Sequence, residues 1–391
     1  MLGTSFSPWP SFTDEEADAA RKVILSNKVN YWTGQECREF EKEFALWAGT
    51  DYAIALTNGT VALDLALKAL GIGPGDEVIV TSRTFLASAS SIVTAGATPV
   101  FADVDRDSQN ITAETIRAVL TPRTRAVICV HLAGWPCDMD PIMALAAEHD
   151  LKVVEDCAQA HGAQYKGKPV GSIGHIGAWS FCQDKIMTTA GEGGMVTTSD
   201  RELWSKMWSF KDHGKSWAAV YERQHAPGFR WLHESFGTNW RMMEVQGAIG
   251  RIQLRRMSEW QASRQANAER IWAAARKLSG LRVAQVPNDV THAAYKCYVF
   301  VEPTQLKDGW SRDRILNEIS AGGVPCFSGS CSEVYLEKAF DNTNWRPDKP
   351  LATARELGET SLMFLVHPTL STLEIDKTCQ VLSEVMVAAT E

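Results

Sequence analysis

Between residues 52 and 155 the sequence alternates short β-like runs with helical ones, and this alternation constrains the fold more than any other feature. Tyr52–Leu56, Glu77–Thr81, Thr98–Asp103, Ala126–His131 and Lys152–Glu155 read as strands. Val61–Leu70, Phe85–Ala95, Ala113–Leu120 and Pro141–His149 read as the helices between them. The run Ala126-Val127-Ile128-Cys129-Val130 has no polar position, which suits a strand buried on both faces. Repeated strand–helix units predict an α/β fold with a mostly parallel sheet. Ligands of such sheets bind at the carboxyl ends of the strands. Glu15–Leu25, with Thr13 or Asp14 as cap, and Glu36–Ala48 read as two helices ahead of the sheet.

After about residue 250 the pattern changes. Gln253–Leu278 is a long polar helical stretch able to join two domains, and Tyr295–Val301, Arg312–Ser320 and Ile375–Ala389 suggest a smaller α/β unit. A chain of 391 residues has room for two domains. The expected division is 1–250 and 251–391. Of the 14 tryptophans, several fall between Trp204 and Trp240, a region that reads as either a packed or an interfacial loop.

A net charge of −8 gives no reason to expect nucleic acid or an anionic membrane as partner. No apolar run is long enough to span a bilayer, and Met1–Glu16 lacks the basic and apolar regions of a signal peptide. The nine cysteines are scattered without metal or redox spacing, as for free thiols in a reducing compartment. The expected location is therefore the cytoplasm.

Three segments carry the chemistry. Asn58-Gly59-Thr60 follows a strand and opens a helix. A helix start offers free N–H groups and a positive dipole end to a phosphate, and glycine admits close approach. Taken alone, these residues are better accounted for by a plain N-cap without a ligand. Glu155-Asp156-Cys157-Ala158-Gln159 ends the strand that starts at Lys152. A buried carboxylate there needs a partner. A protonated pyridine nitrogen would serve, and so would a cap on the next helix. Lys185 follows 29 residues after Asp156, between Ser180 and the glycine-rich Gly191-Glu192-Gly193-Gly194. A lysine is a surface cation by default; in this setting it is a candidate covalent nucleophile, which burial beside another cation would activate.

Taken in this order, the segments resemble the DegT/DnrJ/EryC1/StrS sugar aminotransferases, of the aspartate-aminotransferase-like pyridoxal-phosphate fold. The most specific stretches are Ala69–Val78 (Ala-Leu-Gly-Ile-Gly-Pro-Gly-Asp-Glu-Val), Glu155–Gly162, Glu192-Gly193-Gly194 and Gly237-Thr238-Asn239-Trp240-Arg241. The resemblance implies a three-layer large domain of pyridoxal-phosphate fold type I and a smaller C-terminal α/β domain. It implies that Lys185 bonds pyridoxal 5'-phosphate and moves the proton, that Asp156 binds the pyridine nitrogen, and that Gln159 contacts the ring hydroxyl. By the same resemblance Phe85 stacks on the ring, Gly59, Thr60 and Ser180 hold the phosphate, and Asn239 reaches the phosphate of the neighbouring subunit in a homodimer. His213 falls in a loop near the substrate. Pro325–Cys331 departs from the family pattern, which has a His-Tyr or similar pair there.

The function so implied is amino transfer from a donor such as glutamate to a nucleotide-linked keto-sugar, a 4-keto-6-deoxy sugar, in lipopolysaccharide or similar polysaccharide biosynthesis. Two other readings stand beside it. Relatives with histidine in place of Lys185 are sugar 3-dehydratases, and a scaffold protein would keep the fold without turnover. Lys185 weighs against the first, and Lys185, Asp156 and Gln159 together weigh against the second.

Overall fold

A computed structural model describes residues 6–225, 227–228 and 230–391. Its main sheet has seven strands: β1 (Tyr52–Leu56), β2 (Glu77–Thr81), β3 (Thr98–Ala102), β4 (Thr124–Val130), β5 (Lys152–Asp156), β6 (Ile176–Ser180) and β7 (Gly194–Thr198). Their spatial order is β1-β7-β6-β5-β4-β2-β3. All neighbours pair in parallel except β7, which runs antiparallel to both β1 and β6. The strands expected from the sequence are all present, with ends shifted by at most two residues.

Alternate residues of each strand enter different cores, because successive side chains point to opposite faces. Val78, Val80, Ile128, Val130 and Val154 pack with the helices Gly59–Ala69, Ala87–Thr94 and Arg201–Lys211. Ile79, Val127, Cys129 and Val153 pack on the other face with the helix Met139–Glu148. Near β1, β6 and β7 that second face is covered by Phe40 and Phe44 of the helix Glu36–Ala48. Two helical layers therefore enclose the sheet, the three-layer arrangement expected.

Four short strands form a second, antiparallel sheet: β8 (Leu281–Arg282), β9 (Cys297–Val301), β10 (Cys326–Phe327) and β11 (Ser361–Phe364), in the order β8-β9-β11-β10. The helix Glu244–Ala275 serves both sheets. Its Leu254, Met257 and Trp260 pack near the first sheet and its Ala268, Ile271 and Ala275 near the second. At 32 residues it is about 48 Å long. It starts nine residues earlier than the expected Gln253, so the division expected at residue 250 falls inside it.

The tryptophan-rich segment divides. Trp217 packs edge-on against both Trp204 and Trp208, each at 5.1 Å, whereas Trp231 and Phe236 are 90% and 100% exposed. All nine cysteines are free. Among the described residues no helix is long and apolar enough to cross a membrane.

Glu155 secures the centre of the main sheet. It is fully buried and accepts hydrogen bonds from the N–H groups of Gly171 (2.8 Å), Ile173 (2.8 Å) and Gly174 (2.6 Å). The fourth donor is His131 Nε2 at 3.0 Å, whose proton position follows from Cys137 N donating to Nδ1. Burial works against the Glu155 charge, but His131 and the backbone donors outweigh it and hold the carboxyl below its ordinary range. Its stabilising contribution is thus full above the unfolded-state pKa and fades as pH falls through the lower folded value. Glu155→Ala strands these donors and should cost about 3–5 kcal/mol at pH 7. In guanidinium unfolding the gap between wild type and variant should shrink below about pH 4.

Candidate active site

The expected residues gather where β1, β5 and β6 end. Asp156 is the last residue of β5 and points to the face opposite Glu155. Ser88 Oγ donates to its Oδ2 at 2.8 Å, and Ala158 N donates to Oδ1 at 3.1 Å. Burial raises the Asp156 carboxyl above its usual value, and Ser88, Ala158 and the Lys185 charge only partly offset this. A second cation beside it would favour the ionised form.

Gln159 accepts from Ala133 N at 2.8 Å. Only an amide oxygen can accept that bond, so its NH2 is the group left to donate. Gln159, Phe85 and Lys185 line one cavity of about 580 Å3, together with Tyr295, Tyr298 and the segment from Phe327 to Cys331. Phe85 is 71% exposed, with its ring on the cavity wall. Lys185 lies 5.3 Å from the centre of the Tyr295 ring and 3.9 Å from Asp184. Burial opposes the charge on Asp184, yet Lys185, the Tyr295 hydroxyl and Lys296 keep its carboxyl below the ordinary range.

Gly59 begins the helix that follows β1, capped by Asn58 through a 3.0 Å bond from Val61 N. A Cβ at Gly59 would stand 2.5 Å from Cβ of Ser180, so the helix start and the end of β6 touch only because residue 59 is glycine. Thr60 is exposed beside it.

Asp156, Gly59, Thr60 and Ser180 are not among the residues that line this cavity, and neither are Asn239 and His213. They neighbour each other: Asp212 pairs with Asn239, and His213 N donates to Thr238 O at 2.9 Å. Both are exposed. Thr57 N donates to Trp240 O at 3.1 Å, which ties this segment to the end of β1.

Several participants were not foreseen. Ser88, Tyr295, Lys296 and Tyr298 have no motif, and distant segments bring them in. The departing segment Pro325–Cys331 forms a wall of the cavity, and Cys331 O accepts from Thr84 N at 3.1 Å beside Phe85. Arg83 pins that wall from beneath. Fully buried, it donates to Gln109 Oε1 (3.0 Å), Ser332 Oγ (2.8 Å) and Ser361 Oγ (2.8 Å).

These donors suit a phosphorylated pyridine: an under-compensated buried carboxylate, a free amide NH2, an aromatic ring, an amine and a helix start pressed against a serine. Fold and site thus define a cofactor-dependent enzyme that handles amines. The chain belongs to the DegT/DnrJ/EryC1/StrS aminotransferase family, whose model matches residues 10–383. It is a pyridoxal-phosphate-dependent aminotransferase. It is 39% identical over 380 residues to a GDP-perosamine synthase of Caulobacter vibrioides, covering 94% of this chain and 95% of the relative. A dTDP-3-amino-3,4,6-trideoxy-alpha-D-glucose transaminase of Streptomyces venezuelae is 36% identical over 325 residues, 83% of this chain and 80% of that one. The crystal structure of an aminotransferase from Psychrobacter cryohalolentis superposes with a TM-score of 0.97 at 65% identity, covering 99% of this chain and 100% of the other.

Gly59→Ala should weaken pyridoxal-phosphate binding by about tenfold or more, since the new methyl must push the helix start off Ser180. Absorbance titration of the apoprotein would measure this, and unchanged affinity would remove Gly59 from the phosphate site.

Proposed function

We propose that the protein transfers an amino group from glutamate to a nucleotide-linked keto-sugar, a 4-keto-6-deoxy sugar, for surface-polysaccharide biosynthesis in the cytoplasm. Lys185 on the wall of a cavity shared with Gln159 and Phe85 is the observation that carries this reading. Family membership supports amino transfer. The names of the two curated relatives support a nucleotide-linked sugar, and they carry different nucleotides, GDP and dTDP.

Bound pyridoxal phosphate supplies an electron sink for charge developing on the substrate carbon. In this reading Asp156 keeps the pyridine nitrogen protonated, Gln159 donates to the ring oxygen and Phe85 covers the ring face. Gly59, Thr60 and Ser180 hold the phosphate. Lys185 bonds the cofactor and then carries a proton on Nζ to and from the substrate carbon. A histidine there could move the proton but could not form that bond, so the lysine favours transamination over 3-dehydration. Residues 1–250 form the cofactor-binding part and 251–391 the smaller part.

The test is a panel of nucleotide-linked keto-sugars incubated with glutamate, with the position of the new amine read by NMR. Wild type should aminate at least one, and failure on all of them removes the substrate reading. Lys185→Ala should give no product and lose the borohydride-reducible cofactor label. Asp156→Asn should stay folded but turn over about 10²- to 10⁴-fold more slowly.

The reading also includes a homodimer whose sites draw Asn239 from the neighbouring chain, with His213 in a loop near the substrate. The rival is local, because Asn239 Oδ1 accepts from Arg241 N at 3.4 Å within its own chain. Mixing Lys185→Ala with Asn239→Asp, each inactive alone, should restore activity. One site of the mixed dimer then carries both native residues and the other both lesions. Mixed dimers that form without activity count against a shared site.

A further inference from the structure

A second cavity, of about 550 Å3, adjoins the Lys185 cavity. The two share Asp184, Tyr295, Lys296, Phe327 and Leu365 as wall residues. Arg264, from the helix Glu244–Ala275, lines the second cavity although it is only 1% exposed. Its Nη1 makes a long bond, 3.4 Å, to Tyr295 O. Its Nε and Nη2 are buried and have no hydrogen-bond partner among the described residues. The Trp9 ring covers the guanidinium at 5.0 Å, and Trp9 Nε1 donates to Lys185 O at 2.8 Å. The wall around Arg264 is therefore continuous with the backbone of Lys185.

Lys296 is a second cation on this wall, 4.7 Å from the centre of the Tyr295 ring. Among the described residues Asp184 is the only carboxylate lining the cavity, and it already accepts from the Tyr295 hydroxyl at 2.5 Å beside Lys185. Burial pushes Arg264 down to about 9 and, with Asp184 partly offsetting it, Lys296 down to about 8, so both remain largely protonated at neutral pH.

A buried guanidinium with two unpartnered nitrogens is costly unless a ligand satisfies it. The free nitrogens are the pair on one edge of the fork, whose parallel N–H bonds match the two oxygens of a carboxylate. We propose that Arg264 and Lys296 form a subsite that binds the carboxylate of a ligand reacting at Lys185. Two ligands offer that group, an amino-acid donor and a sugar acid. Assigning it to a reacting ligand rests on the proposed amino transfer; its preference for carboxylate does not.

Calorimetry on the pyridoxal-phosphate-loaded enzyme tests this with glutarate, which has no amine to transfer, and with glucuronate. Glutaramide and glucose are the neutral controls. At least one acid should bind while its neutral counterpart binds far more weakly. Arg264→Gln and Lys296→Met should each weaken that acid by roughly 10- to 100-fold, with melting temperature and visible cofactor absorbance kept. Dependence of the glutarate arm on these residues assigns the subsite to the donor, and dependence of the glucuronate arm assigns it to the sugar; either supports it. The proposal is overturned if neither acid binds, if inorganic phosphate competes as tightly, or if a folded Lys296→Met binds like wild type. That last variant decides the matter should Arg264→Gln fail to fold. Glutarate binding without any amination by glutamate would count against the proposed function alone.

Discussion

Two neighbouring carboxylates at the end of β5 carry opposite burdens, and the rest of the site depends on that contrast. Alternation along a strand sends Glu155 to one face of the sheet and Asp156 to the other. Glu155 meets three backbone N–H groups and His131, so its charge is met within the protein and holds the turn after residue 170 against the sheet. Asp156 meets one hydroxyl and one backbone N–H. Burial leaves it under-compensated on the side where Gln159 and Lys185 converge. The first carboxylate fixes the position of the strand end, and the second makes that end suited to a positively charged ring.

The remaining walls come from parts of the chain with no strand of the main sheet. Arg83 sits in the loop after β2 but bonds to Ser332 and Ser361, so the segment that ends at Cys331 cannot shift without exposing a buried guanidinium. Tyr298 packs over Arg83 at 5.4 Å, and its hydroxyl accepts from Ser330 N at 2.9 Å. These contacts close the side of the cavity facing Phe85. Strand ends and a helix start thus build one side of the candidate site, and loops braced on a buried arginine build the other.

Much of the fold was legible because parallel strands buried on both faces must be apolar throughout, and the helices between them must be amphipathic. The helix Glu36–Ala48 and the strand Glu77–Thr81 match their expected bounds. Lys185, Asp156 and Gln159 were legible as candidates as well, because each sits in a short segment at a strand end, where local order and spatial order agree; the contact of Gly59 with Ser180 was not. Tyr295, Lys296, Arg264 and Arg83 were not. Each is an ordinary residue in its own segment, and its neighbours lie dozens to hundreds of positions away.

What the sequence by itself determined, then, was the strand–helix alternation and which candidate residues stand at strand ends, since both follow from local periodicity and from where chain direction changes. The tertiary structure alone decided which side chains share a cavity, which buried charges are satisfied and which are not. Those outcomes depend on desolvation and on long-range contacts. No short stretch of sequence could show that Glu155 is fully bonded while two buried nitrogens of Arg264, more than 100 residues later, have no partner among the described residues.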